Sequence, residues 1–400
     1  MHDHYIKNLL QRINKKTTKL DFQKDIKNNN EILHEGIFNN NVLIIGGAGT
    51  IGSNYIKQIL KFKPHKLVVV DINENGLTEL TRDLRSSKLL DYQPEYITYP
   101  VNLLSDTFDK IFELEKWSVV ANFSAHKHVR SEKDKISIEA LIKNNVYGAI
   151  KLLDLCSSKP PKYFFSVSTD KAANPVNIMG ASKSLMERLI LSKQNKFRVS
   201  TARFANVAFS NGSLLDGFLN RIQKKQPLSC PSDIKRFFVT PKQSGQICLL
   251  STFLGNSGNI FFPKLDFQKD QIYFKDIALN FLIDNGYDPV LVESEEEAKT
   301  FDINANPGKY PIYFFKTDTS GEKTYEEFYT KNEEFDIKHF NSLGFINTEE
   351  ELVSSEQLIN DFNEVFENPK LTKADVVSVL KKYVQDFKHI ETGKHLDQKM

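Results

Sequence analysis

Cysteine is scarce: Cys156, Cys230 and Cys248 are the only three in 400 residues. They are far apart, odd in number and without metal-ligand spacing, which argues against a disulfide framework or a bound metal. A reducing, cytoplasmic setting fits them. Long apolar runs are missing too. No stretch approaches the roughly 20 residues a membrane-crossing helix needs. No apolar segment follows the opening His2-Asp3-His4, so neither membrane insertion nor a secretory leader is expected. Charge of one sign is not in excess: 53 Lys and Arg are interspersed with 51 Asp and Glu. A net charge of +2 gives no reason to invoke nucleic acid or an anionic membrane as a partner. Internal repeats and low-complexity tracts are absent. What remains is an ordinary globular composition, 40% apolar and 26% charged, on a chain long enough for a large core.

Within that chain, short all-apolar strands alternate with helices, the pattern of a parallel sheet covered on both faces. Val42–Ile45 reads as a buried strand, Gly46–Gly52 as a tight turn and Ser53–Phe62 as a helix. Leu67–Val70 is a second strand, closing with Asp71. Further strands are expected at Tyr96–Tyr99, Val119–Phe123, Tyr163–Val167 and Arg198–Phe204. In the first forty residues Tyr5, Ile6, Leu9, Leu10 and Ile13 form an apolar face suited to packing on the body or on another subunit. Lys27–Asn30 reads as a link. Near the other end, Thr372 with Asp375 resembles a capping box, followed by the apolar stripe Val376, Val377, Leu380, Val384 and Phe387.

Gly46-Gly-Ala-Gly49-Thr-Ile-Gly52 lies between a strand and a helix. Glycines there let the backbone approach a pyrophosphate, with the helix N-terminus facing the negative charge. Gly46, Gly49, Thr50, Ile51 and Gly52 are the expected contacts. Asp71, 19 residues past Gly52, is spaced to meet the adenosine ribose and would repel a 2′-phosphate, so the expected cofactor is NAD rather than NADP. Asn73 joins the same set. Asn102 follows the third strand, near the adenine or as a plain turn residue. Ser124 and Ala125 are small enough for a cofactor to lie over the sheet edge. Lys127 and His128, just beyond, are placed to reach a substrate's diphosphate or sugar.

The most informative segment is VSTDKAANPVNIMGASK. Thr169, Asp170 and Lys171 follow a strand and put an acid and a potential base at the sheet's carboxyl edge, where open α/β sheets hold ligands. A surface ion pair is the plainer alternative. Eight residues past Lys171, Met179-x-x-x-Lys183 opens a helix. A thioether cannot usefully donate or accept a proton, so acid/base work falls to Asp170 and Lys171.

Together GGAGTIG, AHKHV, NNVYG, VSTDKAANPVNIMGASK, ARFANVAFSNGS and IKRFFVTP resemble a known family over about residues 41–330. It is the nucleotide-sugar 4,6-dehydratases of the extended short-chain dehydrogenase/reductase superfamily, the polysaccharide-biosynthesis proteins acting on UDP-N-acetylglucosamine. Most of that superfamily carries Tyr where this chain has Met179. The tract Tyr310–Thr330 is similar to longer soluble relatives.

The resemblance implies bound NAD, a UDP-sugar substrate, and a homodimer or higher homo-oligomer packed through helices 141–157 and 180–195. It implies oxidation at C4, loss of water across C5 and C6, and hydride return to C6. Asp170 would be the acid toward the C6 hydroxyl and Lys171 the base at C5. Thr169 would hold the C4 hydroxyl, and Lys183 the nicotinamide ribose. Met179 cannot deprotonate the C4 hydroxyl, which leaves Thr169 relaying to water or a double role for Lys171. Asn206 would donate to the substrate diphosphate, with Asn211 and Ser213 as nucleotide contacts. Arg236 would clamp a phosphate, or be a buried structural arginine. A 4-epimerase on the same fold, the same dehydration of a GDP-linked sugar, and a cofactor-binding protein without turnover are the alternatives.

The expected fold is α/β: a Rossmann-type doubly wound parallel sheet with a smaller α/β substrate-binding lobe and a helical C-terminal extension. The expected divisions are an N-terminal helical arm at 1–40, an NAD-binding Rossmann domain at 41–205, a substrate-binding lobe at 206–335 and the helical extension at 336–400.

Overall fold

The alternating apolar runs form a doubly wound sheet in the computed structural model, which describes residues 3–15, 17–349 and 353–394. Its first strands are β1 (Asn41–Ile45), β2 (Lys66–Val70), β3 (Glu95–Tyr99), β4 (Val119–Asn122), β5 (Tyr163–Val167) and β6 (Val199–Ala202). They pair in parallel in the order β3-β2-β1-β4-β5-β6. All residues of β4, β5 and β6 are buried, including the polar Asn122, Ser166, Ser200 and Thr201, as expected when helices cover both faces. The strand order reverses between β1 and β4, the point at which such sheets open a crevice for ligands. The helix after β1 starts at Thr50, earlier than expected, and runs to Ile59 with a 3-10 turn to Phe62.

Nine strands follow: β7 (Asn206–Val207), β8 (Leu228–Pro231), β9 (Lys235–Val239), β10 (Asn259–Pro263), β11 (Gln271–Tyr273), β12 (Asp288–Val292), β13 (Lys309–Phe315), β14 (Phe335–Asp336) and β15 (Leu343–Ile346). Six of them make two small sheets, ordered β11-β9-β7 and β12-β13-β8. The other three extend the main sheet beyond β6, with β10 parallel to β6 and β15 antiparallel to β10. The tract 336–400 is therefore helical only after it has given β15 to the sheet.

Both ends of the chain pack on the body. Helix Asp3–Ile13 buries Ile6, Leu9 and Leu10 in the cluster that holds Phe281 and Leu282, and Arg12 pairs with Asp284 at 2.5 Å. The expected link at Lys27–Asn30 is instead a junction of two helices, Phe22–Asn28 and Asn30–Ile37. At the other end, helix Ser355–Glu367 precedes helix Lys373–Tyr383, which opens on the Thr372–Asp375 capping box. Val376, Val377, Leu380, Val384 and Phe387 join the same apolar cluster as the helices Lys135–Ile142 and Ile178–Leu191.

All of Ile178–Leu191 except Arg188 is buried within the chain, against an apolar cluster that the C-terminal helices share. Among the described residues no helix is long and apolar enough to cross a membrane.

Beyond Phe387 the chain becomes a strap. The Lys388 and Ile390 amides donate to the carbonyls of Pro175 and Val176, each at 3.0 Å, and the Gly321 amide donates to the Ile390 carbonyl. The loop after β5 is thus held between the strap and the segment around Gly321.

Candidate active site

Three glycines shape the turn after β1, and each for a different reason. Gly46 has φ +74°, and a Cβ there would lie 2.4 Å from the Ser124 amide nitrogen. A Cβ on Gly52 would lie 2.5 Å from the Gly46 carbonyl oxygen. Both positions demand glycine for close packing of turn, strand and helix. At Gly49, by contrast, a Cβ would meet nothing nearer than 3.6 Å. Gly49 is also the N-cap of Thr50–Ile59 and makes no side-chain cap. The turn is therefore a cradle with uncapped helix amides and room for a pyrophosphate. Asp71 braces it, accepting from the Ala48 amide at 2.9 Å and the Asn73 amide at 3.0 Å. Beside Gly46, the buried Ser124 hydroxyl has no partner among the described residues; Ile51 and Ala125 are half-buried at the same edge.

Two of the expected cofactor contacts have local jobs. The Asn73 side chain caps the next helix by accepting from the Gly76 amide at 2.9 Å. The Asn102 side chain accepts from the Leu104 amide at 2.8 Å and closes a turn.

On the other side of the cradle Lys127 Nζ donates to the Asn211 carbonyl at 2.7 Å, and the Asn211 amide donates to Thr50 Oγ1 at 3.0 Å. Gly212 lies against His128, with a Cβ there 3.3 Å from His128 Nε2. Lys127, His128 and Asn211 thus meet at the start of the cradle helix. Ser213 is used otherwise: its hydroxyl caps Leu214–Gln223 by accepting from the Asp216 amide at 3.2 Å. Asn206 is half-buried on β7.

The acid/base turn follows β5. Its backbone is fixed by the Asp170 amide, which donates to the Phe204 carbonyl at 3.1 Å. A Cβ on Gly180 would fall 2.4 Å from the Lys171 carbonyl, so the next helix presses directly on the turn. Asp170 is 1% exposed. Its Oδ1 accepts from Thr169 Oγ1 at 2.9 Å and from Lys171 Nζ at 3.0 Å. Its Oδ2 has no hydrogen-bond partner among the described residues. The ion pair is therefore part of a buried cluster rather than a solvated surface.

Met179 is buried in the apolar cluster behind the turn. Lys183 is buried as well, donating to the Val167 carbonyl at 3.1 Å at the end of β5. Burial lowers the Lys183 pKa to about 8, against the pull of Glu187.

Arg236 does not stand at an exposed phosphate position. It is 5% exposed and donates to the carbonyls of Lys235 and Lys323, both at 2.9 Å. Its guanidinium lies 3.5 Å from Glu326 Oε1, and the same oxygen lies 3.7 Å from Lys171 Nζ. Arg236 is thus buried and already partnered by two carbonyls and a carboxylate. Glu326 is the functional candidate that sequence reasoning missed. It sits inside the tract Tyr310–Thr330, whose similarity to soluble relatives was the only signal available.

Residues 42–348 match the model of a family described as polysaccharide biosynthesis protein. The chain is 30% identical to an uncharacterized membrane protein of Methanocaldococcus jannaschii, over 76% of this chain and 84% of that protein. It is 28% identical to the capsular polysaccharide biosynthesis protein CapD of Staphylococcus aureus, over 83% of this chain, but spans only 53% of that protein's length. It is 30% identical to a UDP-N-acetylglucosamine 4,6-dehydratase (inverting) of Campylobacter jejuni, over 57% of this chain and 68% of that protein. Among solved structures, Pen from Bacillus thuringiensis superposes with a TM-score of 0.64 at 21% identity, over 88% of this chain and 99% of that one. A DesIV double mutant, a dTDP-glucose 4,6-dehydratase from Streptomyces venezuelae with NAD bound, gives 0.54 at 14% identity, over 86% of this chain and 96% of that one. At these identities the superpositions speak for the fold.

Proposed function

Since the chain belongs to the polysaccharide biosynthesis protein family of extended short-chain dehydrogenase/reductases, we propose that it is an NAD-dependent 4,6-dehydratase acting on UDP-N-acetylglucosamine. The observation that carries this reading is the buried Thr169–Asp170–Lys171 cluster at the end of β5, one carboxyl joined to a hydroxyl and to an amine.

The C6 hydroxyl of a hexose is a poor leaving group and the C5–H is not acidic. A ketone at C4 makes the C5–H acidic and so opens the route to elimination. When bound, NAD supplies reversible two-electron chemistry, oxidising C4 and later reducing C6. Gly46, Gly49, Gly52 and Asp71 would hold it, and the chain's own residues would handle the protons. The Thr169 hydroxyl receives the C4–OH proton and passes its own to Asp170, along the 2.9 Å contact. This route needs nothing from Met179. Lys171, in its neutral form, takes the C5 proton. The C5–H electrons form the C5–C6 double bond as the C6–O bond breaks. Asp170 gives its proton to the departing hydroxyl, and Lys171 returns its proton to C5 when C6 is reduced. The proton lost from the C4 hydroxyl therefore leaves in the water, and both side chains are reset.

Incubation with UDP-N-acetylglucosamine, with GDP-linked sugars in parallel, tests the reading by mass. Loss of one water is expected with the UDP-sugar. An isobaric product would mean a 4-epimerase, and no change in any arm would leave a cofactor-binding protein without turnover. A GDP-sugar losing water instead would move the substrate assignment.

A further inference from the structure

Glu326 reaches the acid/base turn from a segment that runs alongside it. Asn177 Nδ2 donates to the Gly321 carbonyl at 2.7 Å, Lys323 Nζ to the Ala173 carbonyl at 3.4 Å, and Asn174 Nδ2 to Glu327 Oε2 at 3.1 Å. Between these contacts the Glu326 side chain, 2% exposed, turns inward. Its Oε1 lies 3.7 Å from Lys171 Nζ and 3.5 Å from Arg236, while its Oε2 has no hydrogen-bond partner among the described residues. An anion that far below the surface needs a reason, because burying a carboxylate is unfavourable unless cations offset it.

We propose that Glu326 is a positioning residue for Lys171, holding the amine toward C5 and stabilising the ammonium formed when it takes the C5 proton. The arrangement parallels the buried carboxylate behind the histidine of a hydrolytic triad, which orients the base and steadies its charged form. It rests on the dehydratase reading above. Asp170 holds a proton until the elimination and so presents no charge to the waiting amine, which leaves Glu326 as the other carboxyl placed to orient Lys171 beforehand. The charged groups facing Lys171 are Asp170 from its own turn and Glu326 from the overlying segment; Arg236 and Lys323 in turn face Glu326. Burial raises the Glu326 pKa, Lys171 and Arg236 oppose that rise, and Asp170 adds to it. Arg236 is tethered by two carbonyls, so it anchors Glu326 from behind.

The test compares Glu326→Gln and Glu326→Asp with wild type, using UDP-N-acetylglucosamine in deuterated water. For the Gln variant kcat should fall roughly ten- to a hundredfold, the span seen when a group orienting a reacting ligand is lost, with KM little changed. Deuterium entry at C5 should slow in proportion, reduced nicotinamide should still form, and the acid limb of the pH profile should move to lower pH, because a carboxylate no longer favours the charged amine. The Asp variant keeps the charge at shorter reach; it should recover part of the rate and leave the acid limb in place. Wild-type C5 exchange and pH profile in the Gln variant would overturn the inference. So would a slow Gln variant with an unmoved acid limb and no recovery in Asp, which is the mark of a purely structural residue. Should the Gln variant not fold, the Asp variant decides alone: slowed exchange with NAD still bound supports the role, and wild-type exchange overturns it. Wild-type dehydration measured alongside separates the two claims. Product there with an unaffected variant overturns only this inference, whereas no product in wild type overturns the dehydratase reading and this one with it.

Discussion

In the proposed mechanism Asp170 both receives and releases a proton, and the two jobs can be tested in one variant. Asp170→Asn keeps the shape of the side chain but can do neither. Turnover should fall by roughly two to four orders of magnitude, and reduced nicotinamide should not form, because the Thr169 hydroxyl has no carboxylate to pass its proton to. Absorbance of the reduced cofactor building up in this variant would show that the C4 proton leaves by another route. A second carboxyl bears on stability. Glu132 is 3% exposed, and burial pushes its pKa up to about 7, although the Ile178 amide donates to it at 2.6 Å. The folded carboxyl therefore keeps its proton where the unfolded one has lost it. Its contribution is fully present below the ordinary glutamate value and is lost as pH rises through about 7. Glu132→Gln retains an acceptor for Ile178 and cannot ionise. It should match wild type near about pH 4 and exceed it above about pH 8, by at most about 3 kcal/mol. Denaturant unfolding at several pH values measures this; a constant difference across the range would rule it out.

At the scale of elements, the C-terminal helices are cover for helix Ile178–Leu191 rather than an appendage. Leu380 is fully buried in the cluster shared with Ile178–Leu191. Leu380→Ala should lower unfolding stability by about 2–5 kcal/mol, and a change near zero in urea titration would mean these helices dock only loosely. The stripe from Val376 to Phe387 was readable because its spacing is helical and its capping box stands at the start. Strands β1, β2, β4 and β5 were readable because a buried parallel strand is a nearly continuous apolar run. Strand β15 was not: Leu343-Gly-Phe-Ile is short, contains glycine, and pairs antiparallel with a strand far back in the chain. The helix start at Thr50 was masked by Gly52, whose role is contact with Gly46 rather than turning. In the site, Thr169, Asp170 and Lys171 were legible because they are contiguous at a strand end. Glu326 was not, since only the fold brings it to Lys171, and no spacing in the sequence encodes that.

For the whole molecule, the cradle at Gly49 and the return of electrons within each cycle predict that NAD stays bound through purification. Denaturing the pure protein should release it; finding NADP alone, or no dinucleotide, would count against the cofactor. The strap from Lys388 to Lys394 has a consequence in time. Ribosomes make it after every segment it braces, so the sheet and the cradle can form while the loop at Pro175 and Val176 still lacks its clasp. Competence for chemistry would then wait until the strap has been made, and a chain broken before it would hold NAD yet stay idle. A chain stopped after Phe387 should show this split, with dinucleotide retained and turnover lost; full turnover would mean that the clasp is dispensable.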